Sequence, residues 1–91
     1  MNLQLFSERD IEKQSSSSLK RGLKHYKKNI LLHQDKITNP EHYYPEWKKL
    51  DHRRQEGLKR HWQKEIDESN NAVKRRIAEL QKRGDYDERN D

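Results

Sequence analysis

The longest regular pattern in the chain lies in its second half, from Asp51 to Arg83. Apolar residues fall there at Leu58, Trp62, Ile66, Val73, Ile77 and Leu80, spaced by four, four, seven, four and three. That is the repeat of one helical face and not the alternation of a strand. Asp51 suits the start as a cap, Lys82 and Arg83 suit the last turn, and Gly84 is placed to end it. A second pattern runs from Leu19 to about Thr38. Leu19, Leu23, Tyr26, Ile30, His33 and Ile37 keep a 4-3-4-3-4 spacing, a heptad seam that Leu31 and Leu32 widen toward one flank. Gly22 weakens the first turn slightly.

Between the patterns lies a corner. Asn39-Pro40-Glu41 signals a helix start, and Pro45 stops that turn because the residue before a proline avoids helical angles. Tyr43, Tyr44 and Trp47, with Trp62, hold most of the aromatic area, and they are expected to plug the closed end of a hairpin. The competing reading is an exposed platform for stacking bases. The expected fold is all-α: an antiparallel, coiled-coil-like helical hairpin of residues 18–38 and 51–83 with a Pro/aromatic corner and flexible termini. Its seam pairs Leu19, Leu23, Tyr26, Ile30 and Ile37 with Trp62, Ile66, Val73, Ile77 and Leu80.

The expected organisation is a flexible tail over 1–18, a hairpin domain over 19–84 and an acidic tail over 85–91. Ser15 to Ser18 forms a flexible serine run whose last member can also cap the first helix. Leu3, Leu5 and Phe6 belong to the tail, or to a short docking peptide. The final segment, with four acids and one base, is a solvated tail that can also fold back on the basic helices. At ~1.5 Å per residue the first helix is roughly 30 Å long and the second nearer 50 Å. Part of the long helix therefore has to project, bend near Gly57 or meet another molecule.

Composition narrows the functions. Of 91 residues, 27% are hydrophobic and 41% charged, which excludes a large interior core and points to a thin seam or completion by a partner. With no cysteine there is neither a disulfide framework nor a thiolate metal site. No apolar stretch approaches the roughly 18 residues of a membrane span. The first residues lack the basic and apolar regions of a signal peptide, so the expectation is a soluble intracellular protein without membrane contact.

Catalytic and ligand patterns are missing from the sequence. The histidines at 25, 33, 42, 52 and 61 are all eight or more residues apart, whereas a helical metal site wants ligands four apart, so no metal is expected. His33 sits in the seam, where a polar group sets register or makes pairing sensitive to pH. There is no nucleophile elbow and no Gly-rich phosphate loop, and two thin helices form no enclosed pocket. No enzyme activity, cofactor or small-molecule ligand is expected. The net charge of +5 favours anionic partners.

Several stretches together resemble a known family: Ser-Leu-Lys-Arg at 18–21, His-Gln-Asp-Lys-Ile-Thr-Asn-Pro-Glu at 33–41, Tyr-Pro-Glu-Trp at 44–47 and Gly-Leu-Lys-Arg-His-Trp-Gln-Lys-Glu-Ile at 57–66. They are similar to a family of small uncharacterised helical proteins from phages and prophages of Gram-positive bacteria. The helical pattern is also similar to segments found near or attached to minor head proteins. The likeness covers about four fifths of the chain, and the family supplies no catalytic or ligand residues to carry over. It implies a phage context, in the bacterial host cytoplasm or the virion.

Two functional expectations follow. The first is a non-enzymatic interaction module of phage origin, either a head-region accessory or a host-factor-binding protein. It would use Leu3, Leu5, Phe6, Leu58, Trp62, Ile77 and Leu80 toward a protein partner or a second copy. A variant is a small inhibitor of a bacterial defence nuclease. The second is a nucleic-acid-binding protein using Lys20, Lys24, Lys27, Lys28, Arg53, Arg54 and Arg60.

Overall fold

A computed structural model describes residues 10–91. Two long helices, α1 (Ser16–Thr38) and α3 (His52–Arg83), pack against each other as an antiparallel hairpin. A short α2 (Pro40–Tyr43) and a 3-10 turn (Trp47–Lys49) make the corner, and another 3-10 turn (Ile11–Lys13) precedes α1. The described residues include no strand. The molecule is only 14 Å thick along its shortest axis, so the helices form a single layer.

The boundaries follow from local chemistry. Asp51 Oδ1 accepts the backbone N–H groups of Arg53 (2.7 Å) and Arg54 (3.3 Å), satisfying donors that the first turn of α3 leaves unpaired. Gly84 closes the helix in the left-handed conformation, φ 76°, which a side chain would disfavour. The first helix starts earlier than the serine run suggested. Ser15, not Ser18, is the cap, its Oγ accepting from Ser18 N at 3.1 Å, and the other serines form the first turn instead of a linker.

Residues 10–18 are therefore not a tail. Ile11 is buried with Leu19, Leu23 and Leu80, and Val73, Ile77 and Tyr86 pack around them. Arg83 holds the preceding turn in place. Its guanidinium donates to the carbonyls of Gln14 (2.7 Å), Glu12 (3.1 Å) and Ile11 (3.3 Å), while its Nε lies 3.3 Å from Glu79. Charge-assisted bonds of this kind are stronger than neutral ones, and the one to the Ile11 carbonyl adds to the bond it already accepts from Gln14 N at 3.2 Å. Leu3, Leu5 and Phe6 lie outside the described residues.

At the other end three of the four expected rings, Tyr44, Trp47 and Trp62, form a plug, whereas Tyr43 stands apart against His42 and Asp35. Trp47 and Trp62 stack with centroids 5.9 Å apart at 26°, and Tyr44 leans on Trp62 at 5.9 Å. Both tryptophans are buried, and Gln55 Nε2 anchors the corner by donating to the Trp47 carbonyl at 2.7 Å. The hydroxyl of Tyr43 and the amide of Asn39 both donate to Asp35, at 2.6 and 2.8 Å, tying α2 back to α1.

The middle of the seam departs from the expected pairing. The buried positions of α3 are Trp62, Ile66, Ser69, Ala72, Arg76 and Leu80, while Val73 and Ile77 are half-buried on one flank. Only Leu19 and Leu23 of α1 are fully covered. The inward line keeps nearly to the 3.6-residue period of straight helices, and small or polar residues supply its middle. Asn29 Nδ2 donates to Ser69 Oγ at 2.8 Å. Arg76, 3% exposed, donates to the Ala72 carbonyl at 3.0 Å and lays its guanidinium 4.6 Å from the Tyr26 ring centroid. Gly22 makes that placement possible: a Cβ there would stand 2.7 Å from Arg76 Nε. Its absence of a side chain is a packing requirement, not merely a weak helix position.

The length mismatch is also resolved within the chain. The aromatic corner covers Trp62 near the start of α3, and Ile11 and Tyr86 cover Leu80 near its end. The long helix has no unpartnered apolar stretch that requires a second molecule.

Candidate protein-binding face

With the seam facing α3, the wheel of α1 fixes which residues point away. Each residue turns about 100°, so Leu31 and Leu32, following seam residue Ile30, fall on either side of the outward ridge. Leu31 is 65% and Leu32 43% exposed, the largest exposed aliphatic side chains among the described residues. They do not widen the seam, because the helix carries them past it. Lys24, Lys28 and Asp35 share that ridge. Beside it runs a shallow groove lined by His25, Lys28, Asn29 and Leu32. Groove and leucines together present apolar surface edged with positive charge.

The residues nominated from the sequence for protein binding are placed differently. Trp62 and Leu80 are buried within the hairpin, and Leu58 and Ile77 are half-buried. Periodicity alone could not separate a face covered by the chain's own corner and termini from one left for a partner. The exposed leucines were the missed signal: adjacent apolar residues on one helix cannot both face a narrow seam.

The basic residues are not one surface either. Lys24 and Lys28 lie on the outer edge of α1, whereas Arg53 and Arg60 lie on the outer face of α3, at the opposite edge of the layer. Arg54 sits in the first turn of α3, its backbone N–H bound to Asp51. Lys20 and Lys27 are engaged by the final segment: Lys20 Nζ is 3.2 Å from the Asp91 carboxylate and Lys27 donates to the Asp91 carbonyl. The acidic segment thus folds back on α1 instead of standing free.

Other polar features have structural partners. His33 Nδ1 lies 2.8 Å from the Asn29 carbonyl, a contact that requires the proton on that nitrogen. The hydrogen bond from Tyr43, then that from Asn39, holds the Asp35 carboxyl below its usual pKa, and the same bond to Asp35 raises the Tyr43 hydroxyl. The open depression formed by Asp35, Thr38, Asn39, Pro40, Glu41 and His42 is lined by this network. Among the described residues, no three His, Asp or Glu side chains gather as metal ligands. No helix among them is long and apolar enough to cross a membrane. Compared with known proteins, the chain matches no family model, no curated protein and no solved structure.

Proposed function

We propose that this protein is a non-enzymatic interaction module that docks another protein on the outer ridge of α1. One observation carries the reading: a chain with so little apolar surface leaves Leu31 and Leu32 in water, while the other large aliphatic side chains among the described residues are buried or half-buried. Exposed apolar area of this kind, rimmed by polar groups, is what partner helices cover. Lys28 along the groove and Lys24 on the same ridge favour a partner whose apolar side chains are flanked by Asp or Glu. The resemblance to phage proteins supports a phage structural or host protein in that role, in the host cytoplasm or the virion.

A photo-crosslinking side chain at position 31 tests this, with the same group at Asn71 on the outer face of α3 as control. The expected result in phage-infected host cells is one discrete adduct from position 31, whose crosslinked peptide is acidic and amphipathic. Leu32→Glu should abolish that adduct without altering the thermal melt of the purified protein. Adducts of equal yield from both positions, or only an adduct of twice the chain's mass, would overturn the proposal.

A further inference from the structure

The final segment of the chain is built, not loose. Asp87 organises a tight turn: its carboxylate accepts from Arg89 N at 2.9 Å and Asn90 Nδ2 at 2.7 Å, and its carbonyl accepts from Asp91 N at 2.7 Å. The backbone bond from Arg89 leads in holding the Asp87 carboxyl below its ordinary pKa, with Lys20 adding a smaller pull. The turn delivers Asp91 to α1. Its carboxylate, only 9% exposed, accepts from Asp87 N at 3.1 Å and meets Lys20 at 3.2 Å, while its carbonyl takes Lys27. Ser16 Oγ fastens the start of the segment through Asp85 at 2.5 Å.

What lies beneath is a line of lysines. Lys20, Lys24 and Lys27 fall within a narrow arc of α1, with Lys28 at its edge, and no acidic residue interrupts them. Lys24 and Lys28 are exposed and make no ion pair among the described residues. An anionic segment laid on a row of ammonium groups occupies the place a phosphate backbone would take. We propose that the lysine row is a sequence-independent nucleic-acid contact that residues 85–91 hold closed. This goes beyond the protein-docking reading and does not rest on it: the two surfaces meet at Lys24 and Lys28, but Lys20, Lys27 and the segment that covers them lie apart from Leu31 and Leu32. Nucleic acid is favoured over an acidic protein because the row itself contains no apolar side chain for a protein surface to cover.

The test is fluorescence anisotropy of a labelled random-sequence DNA duplex titrated with the full chain at low and moderate salt. Asp87→Asn with Asp91→Asn opens the row. Glu56→Gln with Asp67→Asn removes the same charge from the outer face of α3. The opened variant should bind at least about fivefold tighter than wild type, and freeing two lysines should steepen its salt slope by about two. The control pair should shift affinity by less than about twofold. Adding Lys20→Ala and Lys27→Ala to the opened variant should erase the gain, which separates release of the row from any loss of structure. Equal gains in both charge-matched pairs, no binding by the opened variant at low salt, or a gain surviving the lysine substitutions would overturn the proposal. Displacement of the duplex by polyglutamate of equal charge as readily as by unlabelled DNA would also overturn it, assigning the row to acidic polypeptides.

Discussion

The two ends of the hairpin are closed by opposite chemistry. At the corner, Trp47, Trp62 and Tyr44 stack into an apolar plug. At the other end the aliphatic cluster of Ile11, Leu19, Leu23 and Leu80 is small, and charged groups complete it: Arg83 on the carbonyls of residues 11, 12 and 14, and the Asp91 turn on Lys20 and Lys27. Ring burial is non-directional and little affected by salt, whereas ion pairs near the surface weaken as salt rises. The closed end should therefore behave as the anchor of the fold and the open end as its adjustable part.

The sharpest way to break this contrast is to remove the anchor. Trp62→Ala takes away the ring on which both Trp47 and Tyr44 rest, at an expected cost of about 3–5 kcal/mol. In so small a domain that is comparable with the whole stability, so circular dichroism should show substantial loss of helix at room temperature. A cooperative melt within a few degrees of wild type would show that the plug is not the anchor.

A smaller effect is expected one turn in from the open end, where Gly22 meets Arg76. Removing a glycine from a helix ordinarily adds about 0.5–1 kcal/mol of stability. Here a Cβ would stand 2.7 Å from Nε and 3.2 Å from Cδ of a buried arginine stacked on Tyr26, so the helices would have to part or the guanidinium leave its place. Gly22→Ala should thus destabilise by about 1–2 kcal/mol, the range of modest overpacking. In an Arg76→Ala background the same substitution should turn neutral or stabilising. A double-mutant cycle in urea reads that change of sign, and additive effects would show that the contact does not limit packing.

Arg83→Ala tests the latch directly. It removes the donors to three backbone carbonyls at a partly exposed site, for an expected loss of about 1–2 kcal/mol. The effect should be local. Hydrogen exchange should accelerate in residues 11–19 and leave the Trp47 to Trp62 region unchanged, because the two ends share no side chains. Uniform acceleration along the chain would mean the ends are one cooperative unit.

These particular residues also show what sequence can carry. The helices, their caps at Asp51 and Gly84 and the aromatic corner were legible because each depends on residues close in sequence or on strong periodicity. The register at the centre was not, since an inward line through Ser69, Ala72 and Arg76 has no apolar signature. Its logic is three-dimensional: a glycine on one helix admits an arginine from the other, and an asparagine satisfies the buried serine. The same holds for Ile11, whose place in the core depends on Arg83, 72 residues away. Leu31 and Leu32 look like seam residues in the sequence because they adjoin Ile30, but the seam is too narrow to admit them.

The smallest expected effect sharpens the comparison from the closed end, where the shortest polar tie is the Tyr43 hydroxyl on Asp35 at 2.6 Å, beside Gln55 on the Trp47 carbonyl at 2.7 Å. That bond holds the folded carboxyl below its usual pKa of 3.8, so its contribution to stability is present above the unfolded pKa and is lost as pH falls through the folded one. Raising the Tyr43 pKa acts at the other extreme: that contribution is full below 10.0 and lost as pH climbs through the raised value. Between those limits the tie should be insensitive to pH. Tyr43→Phe removes the donor and keeps the ring, so the Asp35 resonance should titrate at a higher pH by NMR while the Asn39 amide still holds it partly down. Because the pair is open to water, the melt near neutral pH should scarcely move. A large neutral-pH destabilisation by Tyr43→Phe would mean that the corner depends on this hydrogen bond as much as on its stacked rings. The contrast between an apolar closed end and a polar open end would then fail.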